Sequence, residues 1–375
     1  MFTKPDKRFW KNFDWLFAMA ILLLLAAGFI NMYSASHAAG HASFQWKQLA
    51  WYGLGIMVMA AMLFFDYRIL ALWHIHIYVI LVLLLVAVLF VGKSAGGAQR
   101  WLPLGFMNLQ PSEFAKLTMT IVIASWFSYN YKPTYGLFDL WQPVGLTLVP
   151  VALIYLEPDL GTAVFLVIIL GSIVYVAHLR WTAFLTVVGL VMSMLPLAWK
   201  LMHDYQKKRV LTFLNPESDP QGSGYHVIQS KIAIGSGQLF GKGYMHGTQA
   251  HLKFLPEVHT DFAFSIWCEE WGFAGAALLL LIFCFMLARG IRIAANSKDV
   301  LGTYLAFGIT AMLFWQALIN ICMVIGLMPV VGIPLPFISY GGSSVITSMA
   351  GAGIILNISG RRFMFQKDRK GNKLA

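Results

Sequence analysis

The stretch Leu72-Trp-His-Ile-His-Ile-Tyr-Val-Ile-Leu-Val-Leu-Leu-Leu-Val-Ala-Val-Leu-Phe-Val91 decides the fold class. Its 20 residues include no aspartate, glutamate, lysine or arginine. An α-helix of about 20 apolar residues is long enough to cross the hydrocarbon core of a bilayer. The stretch therefore predicts a membrane-spanning helix.

The rest of the chain has the same character. Of its 375 residues, 59% are hydrophobic and only 11% are charged, and the mean hydropathy is +0.69. A soluble globular protein carries about 25% charged residues. The composition therefore excludes a soluble protein.

Apolar runs bounded by turn or charge signals recur along the sequence. They predict an all-α polytopic membrane protein that forms a single integral membrane domain over residues 1–375. The first run is too long for a signal peptide and further spans follow it, so we interpret it as a retained helix. Ten helices are predicted, at roughly 14–33, 49–65, 72–91, 112–129, 141–155, 160–177, 181–200, 262–288, 301–325 and 339–358.

The net charge is +11, and the distribution of the basic residues along the chain agrees with this predicted topology. An even number of spans puts both termini on one side. Placing them in the cytoplasm puts sixteen of the 27 lysines and arginines there, including a basic tail at 361–375, whereas the short outer loops hold Lys47, Lys93 and Arg100. No nucleic-acid-binding motif accompanies the charge, so we assign the excess to topology.

One long connection, residues 201–260, lies between helices 7 and 8 and is predicted to be extracytoplasmic. Its glycine-rich stretch 235–243 invites comparison with a phosphate-binding loop. The match fails, because Ser236 stands where the first glycine belongs and Gly243 stands where serine or threonine would bind magnesium. Turns and a short interfacial helix containing Ile228 and Ile232 are predicted instead.

Charged residues deep inside the predicted spans each cost about 2.5 to 3.5 kcal/mol on insertion scales, so they need a partner or a function. Glu113 and Lys116 are three residues apart, so they share a helix face and can pair. A structural ion pair and a functional pair are both open interpretations. For Glu269 and Glu270, bonding to neighbouring helices is the favoured interpretation.

Several predicted outer connections are polar and irregular, and they converge on one side of the membrane. The proline-rich segment 329–336 cannot be a regular helix at membrane depth unless protein or water satisfies its backbone. Broken segments of this kind line cavities, so an outward-facing polar cavity is predicted. The other polar connections are Arg100-Trp101, Gln110-Pro111-Ser112 and Glu157 through Thr162.

Asp261 lies at the boundary between the long loop and the eighth predicted helix. Aspartate is a good helix N-cap, so a capping role and a functional acid are both open. A capping box is not formed, because Phe264 stands where its glutamate or glutamine would be.

Several of these strings, in this order, resemble the signatures of the SEDS family, named for shape, elongation, division and sporulation. The resemblance covers nearly the whole chain. Residues 204–233 are similar to the elongation members rather than the division members. The matching strings are Gln110-Pro-Ser-Glu-Phe-Ala-Lys116, Glu157-Pro-Asp-Leu-Gly-Thr162, His259-Thr-Asp-Phe262, and Asn320 with Gly326, Pro329, Gly332 and Ser339-Tyr-Gly-Gly-Ser-Ser344.

The resemblance implies a peptidoglycan glycosyltransferase of the bacterial cytoplasmic membrane that polymerises lipid II into β-1,4 glycan strands for cell-wall elongation and rod shape. It also implies a class B penicillin-binding protein as the transpeptidase partner within the elongation machinery. By motif, Asp261 matches the catalytic acid and Glu113 and Lys116 match a pair in the central cavity. Trp101 and Asp159 match further motif positions.

A site on the outer side needs a substrate that carries its own activation, and a lipid-linked pyrophosphate does. The leaving pyrophosphate needs positive charge, for which Lys116, Arg100 and Arg209 are the candidates. A divalent cation, Mg²⁺ or Mn²⁺, is an alternative source of that charge. No metal-binding motif such as HExxH is present, so no cofactor is assigned from the sequence.

Two other functional classes remain as alternatives. A lipid II flippase needs a polar path across both leaflets, whereas the embedded charges fall only in the outer parts of the predicted helices. A membrane scaffold for a penicillin-binding protein needs none of these charges. The polymerase is therefore the favoured interpretation.

Overall fold

The computed structural model describes residues 7–38, 43–95, 98–103, 108–202, 204–219, 222–248 and 260–362 and is mainly α-helical. Short 3₁₀ helices at Leu137–Leu140 and Pro216–Ser218 accompany the α-helices. The described α-helices are α1 (Lys7–Asn12), α2 (Trp15–Ala38), α3 (Ser43–Phe64), α4 (Tyr67–Leu72), α5 (His74–Val91), α6 (Pro111–Tyr129), α7 (Trp141–Leu156), α8 (Leu160–Val176), α9 (Trp181–Leu201), α10 (Asp204–Leu214), α11 (Ser223–Ser236), α12 (Ala263–Ala295), α13 (Val300–Val324) and α14 (Gly342–Arg361).

Each of the ten predicted spans coincides with one of these helices, which confirms the all-α class. Seven segments among the described residues are long and apolar enough to cross a bilayer by themselves. The other three predicted spans are not among the seven. The apolar parts of α8 and α9 are shorter, and α6 contains the charged residues Glu113 and Lys116. The number of crossings and the orientation therefore stay predictions. The seven segments are Trp15–His37, Phe44–Phe64, His74–Val91, Leu137–Leu156, Ala263–Ala295, Val300–Val324 and Gly342–Arg361.

Helices α13 and α14 form the centre of the bundle. Within the span of α14, 89% of the residues are buried, compared with 17% in α5, whose apolar side chains face outward as lipid contact requires. Small residues let α14 approach its neighbours closely. A side chain at Gly353, for example, would lie only 2.7 Å from the carbonyl oxygen of Met59 in α3.

Helix α12 runs between the two ends of the bundle. We name these ends after residues near its two termini, the Asp261 end and the Arg289 end. The N-termini of α6, α8, α12 and α14 meet at the Asp261 end, together with the C-terminus of α13. At Gly272, α12 is interrupted by a non-helical residue with φ of 62°.

The segment 329–336 between α13 and α14 is irregular, as its prolines predict. Protein groups satisfy its backbone. Asn320 donates to the carbonyl oxygen of Ile333 at 2.8 Å, the amide of Leu335 donates to the Ser339 hydroxyl at 2.9 Å, and the amide of Val331 contacts the Met323 sulfur at 3.4 Å. These bonds allow a non-helical chain to persist inside the bundle.

The connection between α5 and α6 contains a small antiparallel sheet that the sequence analysis did not predict. Strand β2 (Ala98–Pro103) pairs with β1 (Lys93–Ala95) and β3 (Asn108–Leu109). It carries both Arg100 and Trp101.

The long connection between α9 and α12 is more helical than predicted. Helix α11 contains Ile228 and Ile232 and matches the short helix expected there, but α10 is an additional helix. His259 and most of the predicted basic tail, at 363–375, lie outside the described residues.

Candidate active site at the Asp261 end

Asp261 lies in a turn just before α12 and is partly exposed. The N-cap of α12 is Phe262, without a side-chain capping hydrogen bond among the described residues, so the capping interpretation of Asp261 is wrong. Its main-chain carbonyl accepts a hydrogen bond from Asn320 at 2.9 Å. The same Asn320 amide binds Ile333, so one buried asparagine ties the aspartate to the irregular segment.

The side chain of Asp261 reaches the irregular segment at Gly332. This glycine has φ of 78°, a conformation that L-residues rarely adopt, and a Cβ there would lie 3.5 Å from Oδ2 of Asp261. On the other side of the segment, Val331 packs so tightly on Gly161 of α8 that a Cβ at Gly161 would overlap it at 2.3 Å. The segment therefore connects Asp261 to the N-terminus of α8.

Asp159 caps that N-terminus. Its carboxylate accepts hydrogen bonds from the amide of Thr162 at 3.3 Å and from the Thr162 hydroxyl at 3.0 Å. Ser112 at the start of α6 donates to it at 3.5 Å, and a guanidinium nitrogen of Arg100 lies 4.0 Å away. Arg100 also donates to the carbonyl oxygens of Glu157 and Pro158. Two predicted site residues, Asp159 and Arg100, are thus in direct contact.

Glu113 and Lys116 form an ion pair one turn into α6, with 2.7 Å between Lys116 Nζ and Glu113 Oε1. Their side chains are only 5% and 1% exposed, and Lys116 Nζ lies 5.4 Å from the ring centre of Phe165 in α8. The second oxygen of Glu113, Oε2, is buried and accepts no hydrogen bond from the described residues. The pair is therefore incompletely satisfied.

Arg209 of α10 contacts the irregular segment from the long connection. Its guanidinium donates to the carbonyl oxygen of Val330 at 3.1 Å. Trp101 is partly exposed on β2, next to Arg100, and is paired in register with Lys93 of β1.

The predicted site residues divide by exposure. Asp261, Arg100, Trp101 and Arg209 are partly exposed, so a bound substrate can touch them. Glu113, Lys116 and Asp159 are buried and can reach a substrate only if the site opens.

Glu157 was not singled out as a site residue from its sequence. It is fully buried beyond the end of α7, and neither carboxylate oxygen accepts a hydrogen bond from the described residues. Burial, and then the negative charge of Asp159, raise its pKa to about 8, while Arg100 opposes the shift. Its place between Leu156 and Pro158 was the available signal, but the sequence could not reveal that its carboxylate accepts no hydrogen bond from the described residues.

Glu270 bonds to a neighbouring helix, as was favoured from the sequence for both glutamates, whereas the bonds of Glu269 run to the loop after α11. Glu269 Oε1 accepts hydrogen bonds from Lys242 Nζ at 2.6 Å and from the amide and hydroxyl of Thr248, both at 2.8 Å. Glu270 accepts one from Ser34 of α2. The loop after α11 is thereby fastened to α12.

The glycine-rich stretch serves this attachment. A Cβ at Gly241 would overlap the backbone of Glu270 at 2.0 Å, and one at Gly272 would meet the Gly241 nitrogen at 2.3 Å. The amide of Lys242 donates to the carbonyl oxygen of Glu269 at 3.0 Å. The glycines therefore permit close backbone contact, with no phosphate loop.

A divalent cation would need oxygen ligands. Among the described residues, no group of three or more histidine, cysteine, aspartate or glutamate side chains converges as metal ligands. The described part of the site thus forms no all-protein metal cage.

Comparison with known proteins identifies the family. The family model described as "Cell cycle protein", which covers FtsW, RodA and SpoVE, matches residues 14–363. The chain is 39% identical over 371 residues to the peptidoglycan glycosyltransferase MrdB of Escherichia coli K12, covering 98% of this chain and all of that protein. It is 38% identical over 363 residues to stage V sporulation protein E of Bacillus subtilis, covering 92% and 96% of the two chains.

Solved structures agree with these relatives. One solved structure is of a peptidoglycan synthase complex that coordinates polymerization and crosslinking. A chain of that complex superposes on this one with a TM-score of 0.80 at 34% identity, covering 94% of this chain and 98% of that one. The rod shape determining protein RodA of Thermus thermophilus superposes with a TM-score of 0.71 at 30% identity and the same coverage. With the sequence motifs and the fold in agreement, the chain belongs to the FtsW, RodA and SpoVE family, that is, to the SEDS proteins.

Proposed function

We propose that this membrane protein is a peptidoglycan glycosyltransferase that polymerises lipid II into β-1,4 glycan strands for cell-wall elongation. The name of the MrdB relative and the likeness to RodA support this activity. The observation that carries the site assignment is the connection of Asp261, through segment 329–336, to the Asp159 and Arg100 cluster on α8 and β2.

In the proposed reaction, Asp261 accepts the proton of the C4 hydroxyl of the acceptor N-acetylglucosamine. The oxygen attacks the anomeric carbon of the donor sugar as the bond to pyrophosphate breaks. One displacement converts an α-linked donor into a β-linked product. Pyrophosphate is a good leaving group, so one carboxylate is enough, whereas glycosidases generally use two. General-base assistance is typically worth about 10² to 10⁴ in rate.

Positive charge near the pyrophosphate completes the proposed mechanism. Arg100 and Arg209 are partly exposed and approach the site from β2 and α10. Each guanidinium is fixed in place by bonds to main-chain carbonyls, at Glu157 and Pro158 for Arg100 and at Val330 for Arg209. Preorganised cations of this kind stabilise charge that develops in a transition state. Lys116 is buried, so we assign it to substrate binding in an opened site.

The proposed location is the bacterial cytoplasmic membrane, with the Asp261 end facing outward. Supporting this orientation, sixteen of the 27 lysines and arginines fall on the opposite side of the predicted topology. The proposed partner is a class B penicillin-binding protein, in line with the synthase complex that this fold resembles.

The decisive experiment compares Asp261→Asn with the wild-type chain, purified and supplied with lipid II. We expect the variant to fold with an unchanged melting temperature and to lose polymer formation by about 100-fold or more. Glu217→Gln is the matched control, because Glu217 is an exposed acid of the same long connection outside the site, and it should keep full activity. Normal polymer from Asp261→Asn would remove the base assignment. In sealed vesicles, translocation of labelled lipid II without polymer would instead favour a flippase.

A further inference from the structure

Helix α12 consists of two helical segments that meet at Gly272. We name them the Asp261 segment, residues 263–271, and the Arg289 segment, residues 273–295, after the ends of the bundle to which they lead. Gly272 has φ of 62° and ψ of −162°, a conformation that is essentially restricted to glycine. The backbone of α12 is therefore broken at this position rather than gently bent.

The break leaves four main-chain groups without their helical partners. In a continuous α-helix, the amide of Phe273 donates to the carbonyl oxygen of Glu269, and the amide of Ala274 donates to that of Glu270. All four groups bond instead to residues 238–243 of the loop after α11, which we name the insert. In these bonds an amide donates to a carbonyl oxygen, from Phe273 to Gln238 at 2.8 Å, from Ala274 to Leu239 at 2.9 Å, from Lys242 to Glu269 at 3.0 Å and from Gly243 to Glu270 at 3.1 Å. The insert therefore replaces the missing part of the helical ladder.

Glycines allow the insert to approach the break this closely. A Cβ at Gly272 would lie 2.7 Å from the main-chain carbonyl carbon of Leu239, and a Cβ at Gly241 would overlap the carbonyl oxygen of Glu270. Gly241 and Gly243 also have φ of 80° and 99°, a region that L-residues rarely adopt. The insert and the break are therefore complementary in backbone shape and in hydrogen bonding.

The Arg289 segment can cross the membrane without the Asp261 segment. It has 23 residues, most of them apolar, and about 20 are enough to cross the hydrocarbon core. The crossing therefore does not determine the direction of the Asp261 segment. That direction depends on the break at Gly272 and on the groups that hold the break in place.

The Asp261 segment is an arm that carries the proposed base. Asp261 lies two residues before it and contacts the rest of the site through Asn320 and Gly332. At about 1.5 Å per residue the segment extends about 13 Å from the break, so a change of direction of about 10° there displaces its far end by about 2 Å. The position of Asp261 is therefore sensitive to the geometry of the break.

The simpler role of the insert is to satisfy the backbone of a broken helix, which a chain inside a membrane requires wherever its helical ladder is interrupted. Loss of the insert would then lower the melting temperature and leave the kcat of the folded protein unchanged. A positioning role lowers kcat itself, so the two roles can be separated.

We propose that the insert positions Asp261 for catalysis. By occupying the break in α12, residues 238–243 set the direction of the Asp261 segment and hence the place of the carboxylate beside Gly332. Gly241 and Gly272 are then positioning residues that act through Asp261. This inference rests on the proposed function of Asp261 as the base of glycan synthesis.

The test uses Gly272→Ala in the purified full chain, supplied with lipid II and followed by enzyme kinetics and by hydrogen exchange with mass spectrometry. Alanine does not tolerate the φ of 62° beside the insert, so we expect α12 to close into a continuous helix and displace the insert. The amides of Lys242 and Gly243 should exchange faster, while the Arg289 segment stays protected. The kcat should fall about 100-fold, the cost of misplacing a reacting group by about 1 Å, with KM changed less than about twofold.

Gly235→Ala is the matched control, because Gly235 lies in the last turn of α11 and an added Cβ meets no atom within 4 Å. It should leave hydrogen exchange and kcat unchanged. Gly243→Ala is a milder second variant that covers the case in which Gly272→Ala does not fold. It strains the insert through its φ of 99°, but its Cβ has only an ordinary contact of 3.5 Å with His246, so the chain should fold and lose a smaller part of kcat.

Normal kcat in a folded variant whose insert amides exchange faster would overturn the positioning role alone, provided that Asp261→Asn is inactive in the same assay. Loss of kcat with unchanged exchange of the insert would overturn it as well, since the insert would then not be the cause. Normal polymer from Asp261→Asn would instead remove the proposed function, and this inference with it.

Discussion

Two ion pairs of similar length, each with a buried carboxylate, have different surroundings. Glu113 and Lys116 lie 2.7 Å apart with side-chain exposures of 5% and 1%, and Lys242 and Glu269 lie 2.6 Å apart with exposures of 28% and 0%. Glu269 Oε1 accepts three hydrogen bonds, whereas Glu113 Oε2 accepts none from the described residues.

This difference in hydrogen bonding distinguishes an ion pair that attaches a loop to a helix from one that is a candidate substrate-binding element. A carboxylate oxygen that accepts three hydrogen bonds, such as Glu269 Oε1, stabilises a loop, here the one that leads from α11 toward Asp261. A buried polar atom without a partner among the described residues, such as Glu113 Oε2, calls for an explanation, and ligand binding is one. We therefore expect the first pair to matter for stability and position, and the second for substrate use.

The largest effect is expected at Lys116. Lys116→Met leaves Glu113 buried without its cation, which should lower the free energy of unfolding by about 3 to 5 kcal/mol. The double variant Glu113→Gln with Lys116→Met removes both charges and should recover most of that stability, as measured by melting temperature. If the pair serves the substrate, polymer synthesis by the double variant stays about 100-fold below wild type. Near-normal synthesis would make the pair purely structural.

A smaller effect is expected at Glu269. Glu269→Gln weakens charge-assisted bonds to Lys242 and Thr248 and should reduce the free energy of unfolding by about 2 kcal/mol. Amide hydrogen exchange should rise in residues 237–248 while the rest of α12 stays protected. Activity should fall through poorer positioning, less than in the Lys116 double variant. Unchanged exchange in that loop would contradict the attachment role.

Glu157 extends the comparison to a buried acid that has no ion-pair partner within hydrogen-bonding distance among the described residues. The unfolded chain loses this proton near pH 4.5 and the folded chain at about pH 8. The folded state therefore holds an extra proton between these values, and stability falls as the pH rises through that window. Glu157→Gln should flatten this part of the pH dependence of melting temperature, with its largest relative gain above pH 8. An identical profile in the variant would contradict the raised pKa.

The smallest effect is expected for an exposed pair. Lys132 and Asp139 lie 2.6 Å apart, but their side chains are 52% and 31% exposed. Solvent screens such pairs, so Lys132→Gln should leave the melting temperature unchanged. A clear loss would show that distance alone, rather than burial, governs these pairs.

Much of the fold could be predicted because bilayer physics leaves few choices. Apolar runs located the ten longest helices among the described residues, and the prolines of segment 329–336 correctly excluded a helix there. The sheet around β2 and helix α10 escaped prediction, because short strands and polar helices carry weak periodic signals. For the site, motif resemblance supplied the candidate residues, but spacing alone left Asp261 divided between a cap and an acid.

The sequence by itself determined that this is a helical membrane protein with polar residues in particular connections, because hydrophobic length and charge are local properties of a chain. Only the tertiary structure decided which of those residues meet. Asn320 donates hydrogen bonds to the main-chain oxygens of Asp261 and Ile333, and Val331 packs against Gly161. The periodicity of apolar residues carries no information about contacts between residues so far apart in the sequence. Likewise, Glu113 and Glu269 both lie in predicted spans, and only packing determines that Glu269 Oε1 accepts three hydrogen bonds while Glu113 Oε2 accepts none from the described residues.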